Sequence, residues 1–244
     1  MIRGFYTSVS GLIANAARQA VVADNVANIN TPGFRQSRTA QSAFQLELAR
    51  STGGDLGPLA TAAVVTGLTL DRAAGPLETT GVPTDLAIEG DGFFVIRTAT
   101  GTALTRAGDF VIDATGTLTT QAGEPVLAAD GGPITVPGGA SAFAVAPDGT
   151  LAGTGRRIAV VGWPAAGVDR LGGTLFTSRG GAAIDPAIPA AGTIRQGALE
   201  HSNVDLAAAM TELIGYQRSL GLDARALSIQ DETLAEAIQV GRLR

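Results

Sequence analysis

The chain has 244 residues, a formal net charge of −5 and 45% hydrophobic residues, so it can bury a core and has no basic excess for nucleic-acid binding. It has no cysteine and one histidine, which excludes disulfides, thiolate metal sites and motifs that need two histidines. We therefore expect no metal, no cofactor and no nucleic-acid partner. We also expect no transmembrane span, because no apolar run reaches about 18 residues.

Both ends of the chain carry apolar residues at alternating steps of three and four. This spacing is typical of helices that pair as a coiled coil, and it extends over residues 2–28 and 204–240. We expect the two long terminal helices to pair with each other, so that the rest of the chain is an insertion between them. The residues predicted to carry helix packing and assembly are Phe5, Val9, Leu12, Leu206, Met210, Leu213, Leu220, Leu227 and Leu234.

A sharp turn is predicted after the first helix. Pro32 disfavours helical backbone at the residue before it, and Gly33 permits a reversal of the chain. Asparagine side chains can bond to irregular backbone, and a ring beyond the turn can pack back on the helix. The residues expected to fix this turn are Asn25, Asn28, Asn30, Thr31, Gly33 and Phe34.

The middle of the chain has the pattern of short antiparallel strands. Residues 64–70 alternate as a strand does, and further β-rich runs occur at 93–98, 109–113, 142–146 and 157–163. Turn signals separate the runs, among them Asp148-Gly149 and the segment 113–116. This spacing favours a barrel or sandwich over alternating strand–helix units.

The predicted fold class is therefore mixed α and β. Residues 1–35 and 199–244 form a discontinuous helical coiled-coil domain, residues 36–80 an extended linker or β-hairpin, and residues 81–198 an antiparallel β-rich domain. We expect the second helix to begin at a capping box in which Ser202 is the N-cap and Asp205 lies three residues later.

We find no catalytic pattern, and we predict that the chain is not an enzyme. Gly90-Asp91-Gly92 lacks the third glycine and the following helix of a nucleotide-binding loop, so it is predicted to be a turn between strands. The carboxylates of the β region are spread singly, which leaves open a hydrolytic or glycan-binding β domain on a coiled-coil stalk.

Polar residues interrupt both helical seams. Gln19, Gln217 and Asp231 occupy seam positions, where a dry two-helix interface would leave their polar groups unpaired. Alanine-rich flanks would allow close packing on several sides of each helix. The sequence thus predicts a chain that completes its packing only in an assembly.

Four motifs in this order resemble the bacterial flagellar axial proteins of the rod and hook family. They are YTSVSGL at 6–12, VADNVANINTPGFR at 22–35, TDLAIEGDGFFVI at 84–96 and GALEHSNVDLAAAMTELIGYQRS at 197–219. The resemblance implies a β motif at Asp85, Gly90, Gly92, Phe93 and Phe94. It also implies hydrogen bonds between subunits at Asn203, Gln217 and Arg218.

The resemblance further implies a structural subunit of the basal-body rod, the periplasmic shaft that transmits motor torque. Its partners would be copies of itself, neighbouring rod proteins and, during secretion, the flagellar export apparatus. We expect export without a cleaved signal peptide, because Thr7 and Ser8 interrupt the apolar run near the N-terminus. Chain length and the Val9–Leu12 start favour the proximal rod type, and the distal rod type is the alternative.

Overall fold

A computed structural model describes residues 2–43, 63–139, 142–164, 167–181, 184–186 and 192–242. The chain divides into two compact units. The first consists of residues 1–27, 37–69 and 205–244, and the second of residues 28–36 and 70–204. The extents of the coiled-coil, linker and β domains named above stay predictions.

Two long helices and thirteen strands form the described chain. The helices are α1 (Ile2–Ala27) and α2 (Leu206–Arg242). The strands are β1 (Ser37–Ala43), β2 (Ala63–Leu70), β3 (Leu77–Thr79), β4 (Leu86–Glu89), β5 (Phe93–Thr98), β6 (Gly101–Thr105), β7 (Val111–Ile112), β8 (Leu118–Thr119), β9 (Val160–Val161), β10 (Val168–Gly172), β11 (Leu175–Ser178), β12 (Thr193–Gln196) and β13 (Ala198–Glu200).

Both terminal helices lie where the apolar periodicity predicts them, within two residues at each end. The predicted cap of the second helix is wrong. The Oδ1 atom of Asp205 accepts hydrogen bonds from the backbone N–H groups of Ala207 and Ala208, so Asp205 is the N-cap. Ser202 lies too far upstream and accepts a bond from Val204 N–H instead. Neither helix of the described chain is apolar enough over its length to cross a membrane.

The first unit contains both helices and a small sheet in which β1 pairs with β2. The strand predicted over 64–70 is thereby confirmed as β2.

The second unit is built on a five-stranded antiparallel sheet in the order β10-β11-β6-β5-β9. Three two-stranded sheets accompany it: β12 with β4, β13 with β3, and β7 with β8. The last two strands in sequence, β12 and β13, thus pair with β4 and β3, the first strands of this unit. Ile194 lies opposite Ile88, and Leu199 lies opposite Glu78. The second unit is therefore closed by residues far apart in sequence.

The core of the second unit follows the period of two along β5. Phe94 and Ile96 lie in one buried cluster, and Phe93 and Val95 lie in another. Both faces of this strand are covered, which explains why the run FFVIRT reads as continuously apolar. Edge-on ring contacts stabilise each side: Phe94 lies 5.1 Å from Phe110, and Phe93 lies 5.7 Å from Phe176, centroid to centroid.

Several predicted strands are shorter than the sequence pattern suggests. Residues 142–146 form no strand and make a single bridge, between Val145 and Leu151, while 109–113 and 157–163 shrink to the two-residue strands β7 and β9. Glycine or proline lies directly beside each segment, at Gly108, Pro147 and Pro164, and limits how far a ladder can extend there. The two predicted turns are present, since Gly116 N–H bonds to Asp113 C=O and Gly149 N–H to Ala146 C=O. Among the described strands no sheet closes on itself, so the barrel or sandwich stays a prediction.

Two carboxylates meet where β4 begins. Asp85 and Asp109 form a backbone bridge, and Asp85 accepts a hydrogen bond of 2.6 Å from the hydroxyl of Thr80. Burial raises the pKa of Asp109 above its ordinary value, and the negative charge of Asp85 acts in the same direction. Asp113, by contrast, has a lowered pKa because Thr115 and the backbone of the turn donate hydrogen bonds to it.

Replacing Asp109 by asparagine is expected to stabilise the second unit at neutral pH. Because its pKa is raised on folding, this carboxylate opposes folding above that pKa, and the penalty disappears as the pH falls through it. The gain should be about 0.5–1 kcal/mol, as expected for a partly exposed group, and should vanish in acid. Urea unfolding at pH 7 and pH 4 measures it.

Asp113→Asn is the control of opposite sign. Its carboxylate stabilises the fold above its ordinary pKa, and this contribution is lost as the pH falls through the lowered value. Asparagine at 113 should therefore destabilise the protein at pH 7. Equal effects of the two replacements at pH 7 would contradict the assignment of Asp109.

Candidate assembly site

The two helices of the first unit run antiparallel and touch along their length. Ser8 lies opposite Gln230, Asn15 opposite Ser219 and Asp223, and the guanidinium of Arg18 lies 5.9 Å from the ring centroid of Tyr216. Residues early in α1 thus meet residues late in α2. The register is fixed by these contacts, while the supercoiling of the pair stays a prediction.

The side of α2 that faces α1 is shifted from the predicted seam. Its shielded positions recur at steps of four and three: Ala209, Leu213, Tyr216, Leu220, Asp223, Leu227 and Gln230. Three of the predicted packing residues, Leu213, Leu220 and Leu227, belong to this set. Leu206 and Met210 do not, and Gln217 and Arg218 are also exposed. The described side chains do not include those of Phe5 and Leu234.

A second set of apolar side chains winds around the part of α2 that does not face α1. Its members are 44% to 65% exposed in the single chain, so each keeps a large apolar area uncovered: Leu206, Met210, Ile214, Leu222 and Ile229. We call this set the outer face of α2. An isolated helix pair gains nothing from apolar side chains placed there, which makes the outer face a candidate interaction surface.

Polar side chains occupy the middle of the α1–α2 interface. Asn15 donates from Nδ2 to Ser219 Oγ and to Asp223 Oδ2, both at 2.8 Å, and its Oδ1 accepts a bond of 3.0 Å from Arg18. We call Asn15, Arg18, Ser219 and Asp223 the Asn15 cluster. Around it, Ala14 and Val22 are buried, and Val9 and Leu12 are half-buried.

The predicted turn residues are distributed over both units. In the first unit, the buried amide of Asn25 accepts a bond from Ser37 N–H and donates one to Ser37 C=O, so it holds the start of β1. In the second unit, Asn28 accepts bonds from the N–H and the hydroxyl of Thr31. Asn30 is exposed.

Gly33 and Phe34 explain why this turn tolerates few residue types. Gly33 has a φ of +69°, and a Cβ there would lie 2.2 Å from the backbone nitrogen of Ala107. Both observations require glycine. The ring of Phe34 is buried, and the guanidinium of Arg170 stacks on it at 4.2 Å from the centroid.

A buried ion network lies next to this turn. Glu200 in β13 pairs with Arg35 at 2.9 Å through Oε1 and with Arg106 through Oε2, and all three residues are at most 4% exposed. Arg106 also donates to the carbonyls of Ile88, Gly90 and Gly92. The glycines of the β motif thus form a carbonyl cage around a guanidinium. Their backbone takes φ values of +100° at Gly90 and +151° at Gly92.

Arg35 reaches further backbone partners in the same unit. It donates to the carbonyls of Arg72 and Ala73, and burial lowers the pKa of its guanidinium while the Glu200 carboxylate opposes that shift. Sequence reasoning missed Arg35, Arg106 and Glu200. The signal for Glu200 was present, because it alternates with the buried Ala198 in β13 and so points inward.

Asn203 uses its amide within the chain. Its Oδ1 accepts a bond of 2.7 Å from Gln36 N–H, and its Nδ2 donates one of 2.8 Å to Ala73 C=O. The residues predicted to form hydrogen bonds between subunits therefore differ: Asn203 is engaged locally, whereas Gln217 and Arg218 lie exposed on α2.

The described residues offer little for small-molecule chemistry. No three metal-ligating side chains cluster among them. An open depression of about 400 Å³ lies beside β9 and β12, lined by Asp148, Arg157 and apolar side chains. The features that stand out are instead a packed helix pair, an outer apolar face and a buried ion network.

Three family models match successive parts of the chain. The "Flagella basal body rod protein" model covers residues 5–35, the "Flagellar hook protein FlgE/F/G D1 domain" model residues 87–153, and the "Flagellar basal body rod FlgEFG protein C-terminal" model residues 195–240. These ranges contain most of the motif residues discussed above.

Full-length relatives agree with the models. The chain is 33% identical to the flagellar basal-body rod protein FlgG of Bacillus subtilis, over 99% of this chain and 100% of the relative. It is 34% identical to FlgF of Salmonella typhimurium and to FlgF of Rhizobium meliloti, in each case over 98% of both chains. The chain belongs to the flagellar basal-body rod protein family. Rod proteins are structural subunits rather than enzymes, so the hydrolase alternative is set aside.

Replacing Glu200 by glutamine should destabilise the second unit of this rod-family protein by about 3–5 kcal/mol, because two buried guanidinium groups lose their counter-charge. The single tryptophan, Trp163, packs on Phe93 in the same unit and reports unfolding by fluorescence. Urea titration of the full chain measures the loss.

Glu78→Gln is the matched control. Glu78 also pairs with a side chain that carries nitrogen, the imidazole of His201, but the Glu78 side chain is 66% exposed. Its replacement should change stability by less than about 1 kcal/mol. If the two replacements had the same small effect, the buried network would not hold the second unit together.

Proposed function

We propose that this chain polymerises into the rod of the flagellar basal body and there transmits the torque of the motor. The support is its similarity over the full length to FlgG and FlgF rod proteins, combined with an apolar outer face on α2 that the single chain leaves uncovered. Its partners are further copies of itself and neighbouring rod proteins.

The outer face is the proposed contact between subunits. Burying a leucine, isoleucine or methionine side chain contributes about 1.5–3 kcal/mol, and five such side chains are exposed on the part of α2 that does not face α1. Gln217 and Arg218 are exposed on the same helix, beside Ile214. We propose that they add directional hydrogen bonds to an interface whose apolar part has no directional preference.

Torque transmission is proposed on mechanical grounds. Helices that are packed on several sides resist twisting, because close-packed side chains have low compressibility and transmit strain. The second unit has a core covered on both faces of β5 and a buried ion network, so it is suited to brace a neighbour without deforming.

We further propose export through the flagellar export apparatus without signal-peptide cleavage. Signal peptides are cleaved after a small-residue pattern of the type Ala-x-Ala, which Ala14-Asn15-Ala16 matches. This segment lies inside α1, where Asn15 bonds to α2. Cleavage there would remove half of α1 and the Asn15 cluster with it.

Within the family, we propose the proximal rod type, FlgF, on chain length, on the start at Val9–Leu12 and on the full-length match to FlgF proteins. The full-length match to FlgG favours the distal type as the second candidate. Immunogold labelling of purified basal bodies distinguishes them. Label at the inner-membrane side of the rod is expected, and label next to the outer rings would assign the chain to the distal type.

Met210→Asp is expected to abolish rod assembly and swimming while the subunit stays folded. The aspartate charge would have to be buried wherever the outer face meets a neighbouring subunit. The loss of the methionine's apolar contact alone lowers the affinity of each subunit contact about tenfold to a hundredfold. Complementation of a strain that lacks the gene, with motility on soft agar and basal-body yield as readouts, measures the effect.

Ala208→Asp controls for the added charge. Ala208 is exposed and lies two residues, about 200°, around the helix from Met210, at the N-terminal end of α2 where an acidic residue is favourable. This variant should swim normally. Normal swimming of Met210→Asp would refute the outer face as the subunit contact.

A further inference from the structure

The Asn15 cluster joins a cation of α1 to an anion of α2 through a neutral amide. Asn15 is 9% exposed, and both polar atoms of its side chain are engaged: Nδ2 by Ser219 and Asp223, Oδ1 by Arg18. A leucine at this position would bury more hydrocarbon. The cluster is therefore not arranged for the greatest stability of the helix pair.

A buried amide in a helix interface selects one alignment over others. Any other register or partner leaves the amide and its partners without hydrogen bonds, whereas apolar positions accept many alignments. The other shielded positions of α2 nearby, Leu213, Leu220 and Leu227, recur every seven residues. A slide of seven residues replaces one leucine by the next. In the middle of the interface, the register is therefore fixed by the Asn15 cluster.

Hydrophobic burial alone does not determine which side of α2 packs against α1. The outer face carries five large apolar side chains, and α1 has an exposed apolar residue of its own, Ile13. Apolar association is non-directional, so α1 of one chain could cover the outer face of another. The polar partners of Asn15, Ser219 and Asp223, lie on the side of α2 that faces α1.

We propose that the Asn15 cluster determines pairing specificity: it directs α2 to the α1 of its own chain, in one register, and so keeps the outer face for other subunits. The last clause rests on the proposed function, whereas the choice of helix and register does not. The partner excluded from this interface is the α1 helix of a second copy.

The register can be measured by cross-linking, because the chain contains no cysteine. A Ser8→Cys, Gln230→Cys chain carries thiols at positions that face each other in the native register. A Ser8→Cys, Ala237→Cys chain carries them seven residues out of register. Each purified full-length chain is treated with a bis-maleimide of short spacer. Intrachain products and covalent dimers are then separated by denaturing gel electrophoresis and mapped by mass spectrometry.

When Asn15 is intact, the chain with cysteines at positions 8 and 230 should give mainly the intrachain cross-link. Asn15→Leu should lower the ratio of native to displaced and interchain products about tenfold, the population change that corresponds to one unmatched buried hydrogen bond. Asn15→Ala, which keeps high helix propensity, should act in the same direction. Helical content by circular dichroism should be unchanged or higher in both.

Ala20→Leu is the control for added hydrocarbon. Ala20 is exposed on α1 and lies outside the cluster, so this variant should keep the native ratio. Unchanged ratios in both Asn15 variants would overturn the proposal. A loss of helical content in both would also overturn it, because the cluster would then stabilise the helices rather than select their partner. These measurements use purified subunits without rods, so their outcome is independent of the Met210→Asp experiment.

Discussion

The pairing of Glu200 with two buried arginines is the interaction on which the second unit depends. It joins three parts of the chain that are far apart in sequence: the turn after α1, the end of β6 and the return strand β13. A buried ion pair adds little net stability compared with an apolar core, but removing one member leaves the others charged and desolvated. The network therefore selects one arrangement of these segments, and the glycine-rich loop at 90–92 serves it by offering backbone carbonyls.

The first unit differs from the second, because much of its apolar surface is exposed in the single chain. Its helix interface combines half-buried leucines with the Asn15 cluster, and five further apolar side chains of α2 lie outside that interface and are exposed. Stability within the single chain is thus limited, and apolar surface is kept for contacts outside it. Exposed apolar side chains favour association with other chains, as the proposed rod subunit requires. The similarity to rod proteins and the distribution of these side chains support the same proposal independently.

Periodicity predicted the elements with regular side-chain spacing, and these are α1, α2, β2 and β5. It did not resolve which side of α2 faces α1, because Leu206 and Met210 continue the same spacing as Leu213 and Leu220 and differ only in what covers them. Short strands such as β7 and β9 are held by a few cross-strand bonds, which carry no pattern along the chain. The Glu200 network was out of reach for the same reason: its members are separated by 71 positions or more, and their pairing is a property of the folded backbone.

The outer face of α2 connects the side-chain pattern of one chain to an assembled rod. Electron cryo-microscopy of purified basal bodies, at a resolution that places side chains, tests it most directly. We expect Leu206, Met210 and Ile214 to be buried against a neighbouring subunit while Asn15 bonds to Asp223 of its own chain. A rod in which these three side chains face solvent, with subunits joined only through their β-rich units, would contradict it.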